Sequence, residues 1–260
     1  MSNFENISNL FELVEKASEA YGDKIYVKSS DKKFPDLSFN ELKAFVLAFN
    51  GYLNSNNIKS GDKVAVIIPN TPLAIFMLIA VIATGRVLVP LNPKLSSGEI
   101  NYIIEDSKPN LIISLLPGND YHLEKKGIKL IKEKGKPYYD LIMAHRNDQA
   151  EISISSADEA EIVYTSGSTG NPKGVVITQR NLISNAQGIY LRVRPEKTDT
   201  FLTITPLFHN SGQFFSTFVP LWGGASCVVV RPDIGLTHFW YYIKTHQINW
   251  TLGMPTHINH

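Results

Sequence analysis

Between Lys63 and Ser114 the chain alternates two textures that few folds accommodate. Val64-Ala65-Val66-Ile67-Ile68 is apolar at every position, so a strand made from it must be covered on both faces. Residues 73–83 form the longest apolar run, Val87-Leu88-Val89 is again apolar throughout, and Leu111-Ile112-Ile113-Ser114 repeats the texture. The run at 73–83 is well short of the roughly 18 residues that a membrane-spanning helix needs, so it reads as a buried helix. Strand, helix, strand, helix, strand in this order predicts an α/β fold, with layered parallel or mixed sheets and helices on both faces.

Capping signals place the helices. Asn9 with Glu12 opens an amphipathic helix carrying Leu10, Leu13, Val14 and Ala17, and Gly22 stops it. Ser38-Phe39-Asn40-Glu41 is a capping box before Leu42, Phe45, Val46, Phe49 and Leu53, and Ser96-Ser97-Gly98-Glu99 is another. Asn70 and Pro72 are expected to open the buried helix. Further strands are expected at 160–164, 200–204, 225–230 and 249–252, with helices at 181–191, 214–221 and around 239–245. Residues 119–160 show no clear period and read as surface structure. Residues 253–260 resemble the opening of another helix after Pro255, so the chain reads as cut within a domain.

Charge and cysteine content narrow the function classes. Lys and Arg number 25 against 24 Asp and Glu, a net charge of +1, which gives no global electrostatic reason to expect nucleic acid or an anionic membrane as partner. Cys227 is the single cysteine; it excludes an intrachain disulfide, and its apolar surroundings read as a core strand. His238, His246, His257 and His260 are not at metal-ligand spacings, and Trp222, Trp240 and Trp250 read as core anchors. The first residues carry neither a signal peptide nor a basic transit sequence, so a cytoplasmic protein is expected.

The chemistry concentrates in Tyr164-Thr165-Ser166-Gly167-Ser168-Thr169-Gly170-Asn171-Pro172-Lys173-Gly174-Val175. Glycines let backbone N–H groups approach an anion, hydroxyls donate further hydrogen bonds, and a lysine adds mobile positive charge, so polyphosphate is the natural ligand. A flexible connector is the plain alternative. A Walker A loop is disfavoured, because Gly170 is followed by Asn171 and Pro172 rather than by Lys and Ser or Thr.

Thr165-Ser166-Gly167-Ser168-Thr169-Gly170 with Pro172-Lys173-Gly174 resembles the signature loop of the AMP-binding, adenylate-forming enzymes, which include acyl-CoA synthetases. Residues 73–93, Pro206-Leu207-Phe208-His209, Trp222-Gly223-Gly224-Ala225 and residues 251–256 are similar to other parts of the family. Arg86 departs from it, standing where a small residue is usual.

The resemblance implies that a carboxylic acid is activated by ATP to an acyl-adenylate and then passed to coenzyme A. It assigns Thr165, Ser166, Gly167, Ser168, Thr169, Gly170 and Lys173 to the ATP phosphates, Thr165 to Mg²⁺ as well, and His209 to the pocket for the substrate carboxylate. It further implies that residues 1–260 are the N-terminal part of an AMP-binding domain, without the small C-terminal domain. Adenylation domains that take amino acids typically carry an aspartate just after the Pro206–His209 segment to pair the α-ammonium; no acidic residue occurs between Pro206 and Val230, so the resemblance implies a fatty, aryl or short-chain acid over an amino acid. A ligase fragment, an inert nucleotide-binding or scaffold protein on the same half-fold, and a different ATP-using enzyme all remain open on the sequence alone. Oligomeric state is not legible in it.

Overall fold

Two sheets, each covered on both faces, organise the chain. The computed structural model describes residues 4, 6–30, 34–116, 129–132, 135–146, 151–165, 171–231 and 237–253. Helix α1 (Leu10–Tyr21) leads to β1 (Ile25–Ser29), β2 (Leu37–Ser38), α2 (Phe39–Ser55), β3 (Lys63–Ile67), α3 (Pro72–Ala83), β4 (Val87–Leu91), α4 (Ser97–Ser107) and β5 (Leu111–Ser114). Then come β6 (Lys129–Lys132), α5 (Gly135–Met143), β7 (Glu159–Thr165), β8 (Lys173–Thr178), α6 (Gln179–Val193) and β9 (Thr200–Thr203). Helix α7 (Asn210–Gln213) runs through a π-helical turn (Phe214–Phe218) into α8 (Val219–Gly223), followed by β10 (Ser226–Val229), α9 (Phe239–Thr245) and β11 (Trp250–Thr251).

The six-stranded sheet has the order β6-β5-β3-β4-β7-β8, and the five-stranded sheet β11-β9-β10-β1-β2. Pairing is parallel except for β7 with β8 and β1 with β2, so both sheets are mixed.

The doubly apolar strands explain the layering. Alternate residues of a strand face opposite sides. Val64, Val66, Leu88, Leu111 and Ile113 of the six-stranded sheet share one core with Val27, Phe201, Cys227 and Val229 of the other, and residues of α1, α2 and α3 lie in that core. Ala65, Ile67, Val87, Val89 and Ile112 turn to the far side and pack on Ile100, Ile103 and Ile104 of α4. Leu202, Ile204, Val228 and Val230 pack on Phe239 and partly buried Tyr242 and Ile243 of α9. Every residue of α3 is buried, as a helix in the central layer requires.

The predicted caps form at Asn9, Ser38 and Ser96, the last two as complete capping boxes. Gln179 locks three helices together: its Oε1 accepts from Leu10 N at 3.0 Å, and its Nε2 donates to Ile82 O at 3.1 Å.

Several expectations need correction. Thr71, not Asn70, caps α3, its hydroxyl accepting from Ala74 N at 3.2 Å. The helix expected at 214–221 is the middle of a continuous helical stretch from Asn210 to Gly223. Within the stretch that reads as surface structure, β6 pairs with β5, and Tyr138 and Ile142 of α5 are fully buried. Trp222 is a core anchor, Trp250 is partly buried, but Trp240 is 55% exposed. Cys227 is buried, with desolvation pushing its thiol pKa well up. Among the described residues, no helix is long and apolar enough to cross a membrane.

Candidate functional site

Strand β7 delivers the first side of the site. Glu161, Val163 and Thr165 share one face by the period of two, and Ile162 and Tyr164 share the other. Ile162 and Tyr164 lie in the core with α4, and the Tyr164 hydroxyl donates to Asp106 Oδ2 at 2.5 Å. Desolvation, reinforced by that acceptor, pushes the Tyr164 phenol well above its ordinary pKa.

Strand β8 returns antiparallel, with Tyr164 opposite Gly174 and Thr165 opposite Lys173. Directly opposed residues project to the same side of a sheet. Lys173 therefore stands beside Thr165, on the face that also carries Glu161, and both Thr165 and Lys173 are exposed. Gly174 is needed here: a Cβ would lie 2.9 Å from Ile162 Cγ2 and 3.1 Å from the Tyr164 ring.

The signature segment thus lies between two antiparallel strands, β7 and β8, and β8 runs directly into α6. Lys173 and Gly174 belong to the second strand, whereas the sequence places them in a loop. Ser166, Gly167, Ser168, Thr169 and Gly170 lie outside the described residues.

The second side follows β9. His209 N donates to Pro206 O at 3.1 Å, and the His209 carbonyl accepts from Gly212 N at 3.0 Å and Gln213 N at 3.2 Å as α7 begins. The turn is tight enough to require Gly212, where a Cβ would come 2.4 Å from Pro206 O. Asn70, beyond β3, fastens this segment: its Nδ2 donates to Thr205 O at 3.0 Å and its Oδ1 accepts from Leu207 N at 3.1 Å. That is the role of the residue expected as a helix cap. The His209 ring lies tilted against Phe208, 4.5 Å between centroids and 48° between planes, and reaches solvent. Partial desolvation lowers its pKa from the ordinary histidine value, favouring the neutral imidazole.

One buried hydrogen bond joins the two sides. Gln213 Nε2 donates to Glu161 Oε1 at 2.7 Å and to Leu207 O at 3.0 Å, and neither Glu161 nor Gln213 has any exposure. Desolvation pushes the Glu161 carboxyl up to about 7, partly opposed by the Gln213 bond. Sequence reasoning passes over both residues. A charged residue at the centre of an otherwise apolar strand, Ala160-Glu161-Ile162-Val163, was the available signal.

The hairpin mouth, Asn70 and the His209 turn all lie past the C-terminal ends of parallel strands β7, β3 and β9, where open α/β sheets hold ligands. A hydroxyl, a lysine and an imidazole on two linked strand ends can bind an anionic phosphate chain and a neighbouring carboxylate.

This fold is that of an adenylate-forming enzyme's N-terminal domain. The chain belongs to the AMP-binding enzyme family, whose model matches residues 14–260. It is 26% identical to a crotonobetaine/carnitine–CoA ligase of Salmonella paratyphi A, over 95% of this chain and 51% of that protein. It is 29% identical to an oxalate–CoA ligase of Arabidopsis thaliana, over 76% of this chain and 41% of that protein. The chain thus spans about half the length of these relatives. Among solved structures, the inhibitor-bound N-terminal domain of FACL13 from Mycobacterium tuberculosis superposes with a TM-score of 0.85 at 20% identity, covering 97% of this chain and 64% of that one. A fatty acyl-adenylate ligase from L. pneumophila, in complex with acyl adenylate and pyrophosphate, gives 0.82 at 22% identity, covering 96% and 45%.

Proposed function

We propose that this chain supplies the phosphate-binding and acid-binding sides of an AMP-forming acid–CoA ligase. The observation that carries the reading is the Thr165–Lys173 pair at the mouth of the signature hairpin, joined through Glu161 and Gln213 to the His209 turn.

In this reading a substrate carboxylate oxygen attacks the α-phosphorus of ATP, the bond to pyrophosphate breaks, and the thiol of coenzyme A later displaces AMP. Negative charge gathers on the departing pyrophosphate. Lys173 and the Thr165 hydroxyl hold it there, and the resemblance adds Ser166, Gly167, Ser168, Thr169 and Gly170 as phosphate-binding residues. Among the described residues no three His, Cys, Asp or Glu side chains gather as a metal site. That donor set suits Mg²⁺ carried mainly on phosphate oxygens, with Thr165 as its protein contact, where it would neutralise phosphate charge. His209 can donate a hydrogen bond to the acid, leaving on it the negative charge that makes it a nucleophile.

The acid is a small carboxylic acid without an α-ammonium group. Residues 206–230 contain no carboxylate, and Glu161, whose carboxyl hydrogen-bonds Gln213 among them, is fully buried and faces no solvent. An ammonium placed there would lack a counter-charge, which is costly. Relatives named for crotonobetaine, carnitine and oxalate support a small acid.

Pyrophosphate exchange and AMP release over a panel of fatty, aromatic, short-chain and amino acids test the reading. We expect MgATP binding by residues 1–260, and much slower AMP formation than by a polypeptide of the relatives' full length. Preference for α-amino acids, or MgATP affinity untouched by Lys173→Ala, refutes it.

A further inference from the structure

Glu161 is the only buried carboxylate among the described residues, and the interaction that buries it is not explained by stability. A pair of apolar side chains would fill the same volume without desolvating a carboxyl, and such replacements are often neutral or stabilising. The pair provides geometry instead. Both hydrogens of the Gln213 amide are committed, one to Glu161 Oε1 at 2.7 Å and one to Leu207 O at 3.0 Å. Leu207 precedes His209 and Gln213 follows it, so a single side chain ties both limbs of the His209 turn to β7. Glu161 lies on the face of β7 that ends in Thr165, opposite Lys173.

We propose that Glu161 and Gln213 are a positioning pair, setting the place of the His209 turn relative to the Thr165–Lys173 mouth. This rests on reading those two features as one site. The remaining polar atoms fit a link that favours a neutral carboxyl. Glu161 Oε2 and Gln213 Oε1 are both buried without a partner, and with the carboxyl ionised both can only accept. A proton on Glu161 turns one of these orphans into a donor, and burial raises its pKa to about 7. Asn70 holds the same turn at Thr205 and Leu207 from β3, so the turn is fixed at two points and the Glu161 bond sets the one nearer the hairpin.

The test follows the His209 imidazole by NMR titration, its signal assigned by loss in His209→Gln, together with MgATP affinity by calorimetry. Glu161→Gln keeps an oxygen for the Gln213 amide and offers N–H donors, so it should reproduce the wild-type titration and affinity. Glu161→Leu and Gln213→Leu cut the link; the His209 midpoint should climb back towards 6.5 and MgATP affinity should fall at least threefold. Glu161→Asp, one methylene shorter, gives the same readout if the leucine variants do not fold. An altered melting temperature with an unmoved His209 titration in the cut variants would reduce the pair to ordinary packing and overturn the proposal. If the wild-type chain does not bind MgATP, the site reading fails, while the His209 titration still decides whether the pair positions the turn.

Discussion

Arg86→Ala should be among the most destabilising single changes in the chain. Arg86 is 2% exposed, between the end of α3 and the start of β4. Its Nη1 donates to Asn50 Oδ1 at 2.5 Å and Thr84 O at 2.6 Å, and its Nη2 to Asn54 Oδ1 at 2.6 Å and Ile58 O at 2.7 Å. Among the described residues no carboxylate hydrogen-bonds it. Burial lowers its pKa to about 10, with Asp62 acting in the opposite sense, so it stays charged at neutral pH. Four charge-assisted bonds at about 1.5–3 kcal/mol each set a gross value of roughly 6–12 kcal/mol. Removing the guanidinium also removes its own desolvation cost of several kcal/mol, and the two asparagine amides can rotate to new partners. The net loss expected is about 3–5 kcal/mol, the range for breaking a buried charged network. Urea unfolding followed by tryptophan fluorescence reads it directly. Because Asn54 shares the network, Arg86→Ala and Asn54→Ala should be non-additive by about 1 kcal/mol or more. A loss below about 1 kcal/mol, or strict additivity, would refute the view that this arginine and the α2 asparagines form one unit.

Three further outcomes are expected. Glu161 has a folded pKa of about 7 against an ordinary value of 4.5, so its favourable contribution is complete below pH 4.5 and is lost as pH rises through 7. The stability of wild type relative to Glu161→Gln should therefore fall by about 3 kcal/mol between pH 4 and pH 8 in urea titrations, and a flat difference would contradict the shift. Gly212→Ala brings a Cβ against the Pro206 carbonyl and should cost about 2 kcal/mol in the same assay, with displaced His209 NMR signals. In a polypeptide of the relatives' full length, Lys173→Ala should slow acyl-adenylate formation by at least about tenfold and thioester formation much less, because pyrophosphate leaves only in the first step. Equal losses in separately measured half-reactions would remove Lys173 from the phosphate site.

The layered fold was legible because it is written in burial. Val64 to Ile68 must be covered twice, and capping boxes at Ser38 and Ser96 mark where the covering helices begin. Strand β8 escaped because its cue is short and its side chains are open to solvent, with Val175 51% and Val176 48% exposed, so no buried face imposes a period. Strand β1 escaped for a different reason: Ile25, Tyr26 and Val27 gain their meaning only from a partner far along the chain. At the candidate site, the proposals for Thr165, Lys173 and His209 come from local motifs. Those for Asn70, Glu161 and Gln213 do not, since each acts through a contact between segments distant in sequence.

That remote partner of β1 has a consequence for how the protein is made. Val27 pairs with Cys227, so β1 emerges from the ribosome about 10–40 s ahead of β10 at the usual ~5–20 residues per second. The six-stranded sheet, drawn from residues 63–178, can assemble during that interval. Meanwhile β1, paired only with the two-residue β2, presents a bare strand edge carrying Tyr26 and Val27 to whatever is nearby. The parallel partner of β1 exists only once Ser226–Val229 has been made, so the five-stranded sheet closes after every strand of the six-stranded sheet is already present.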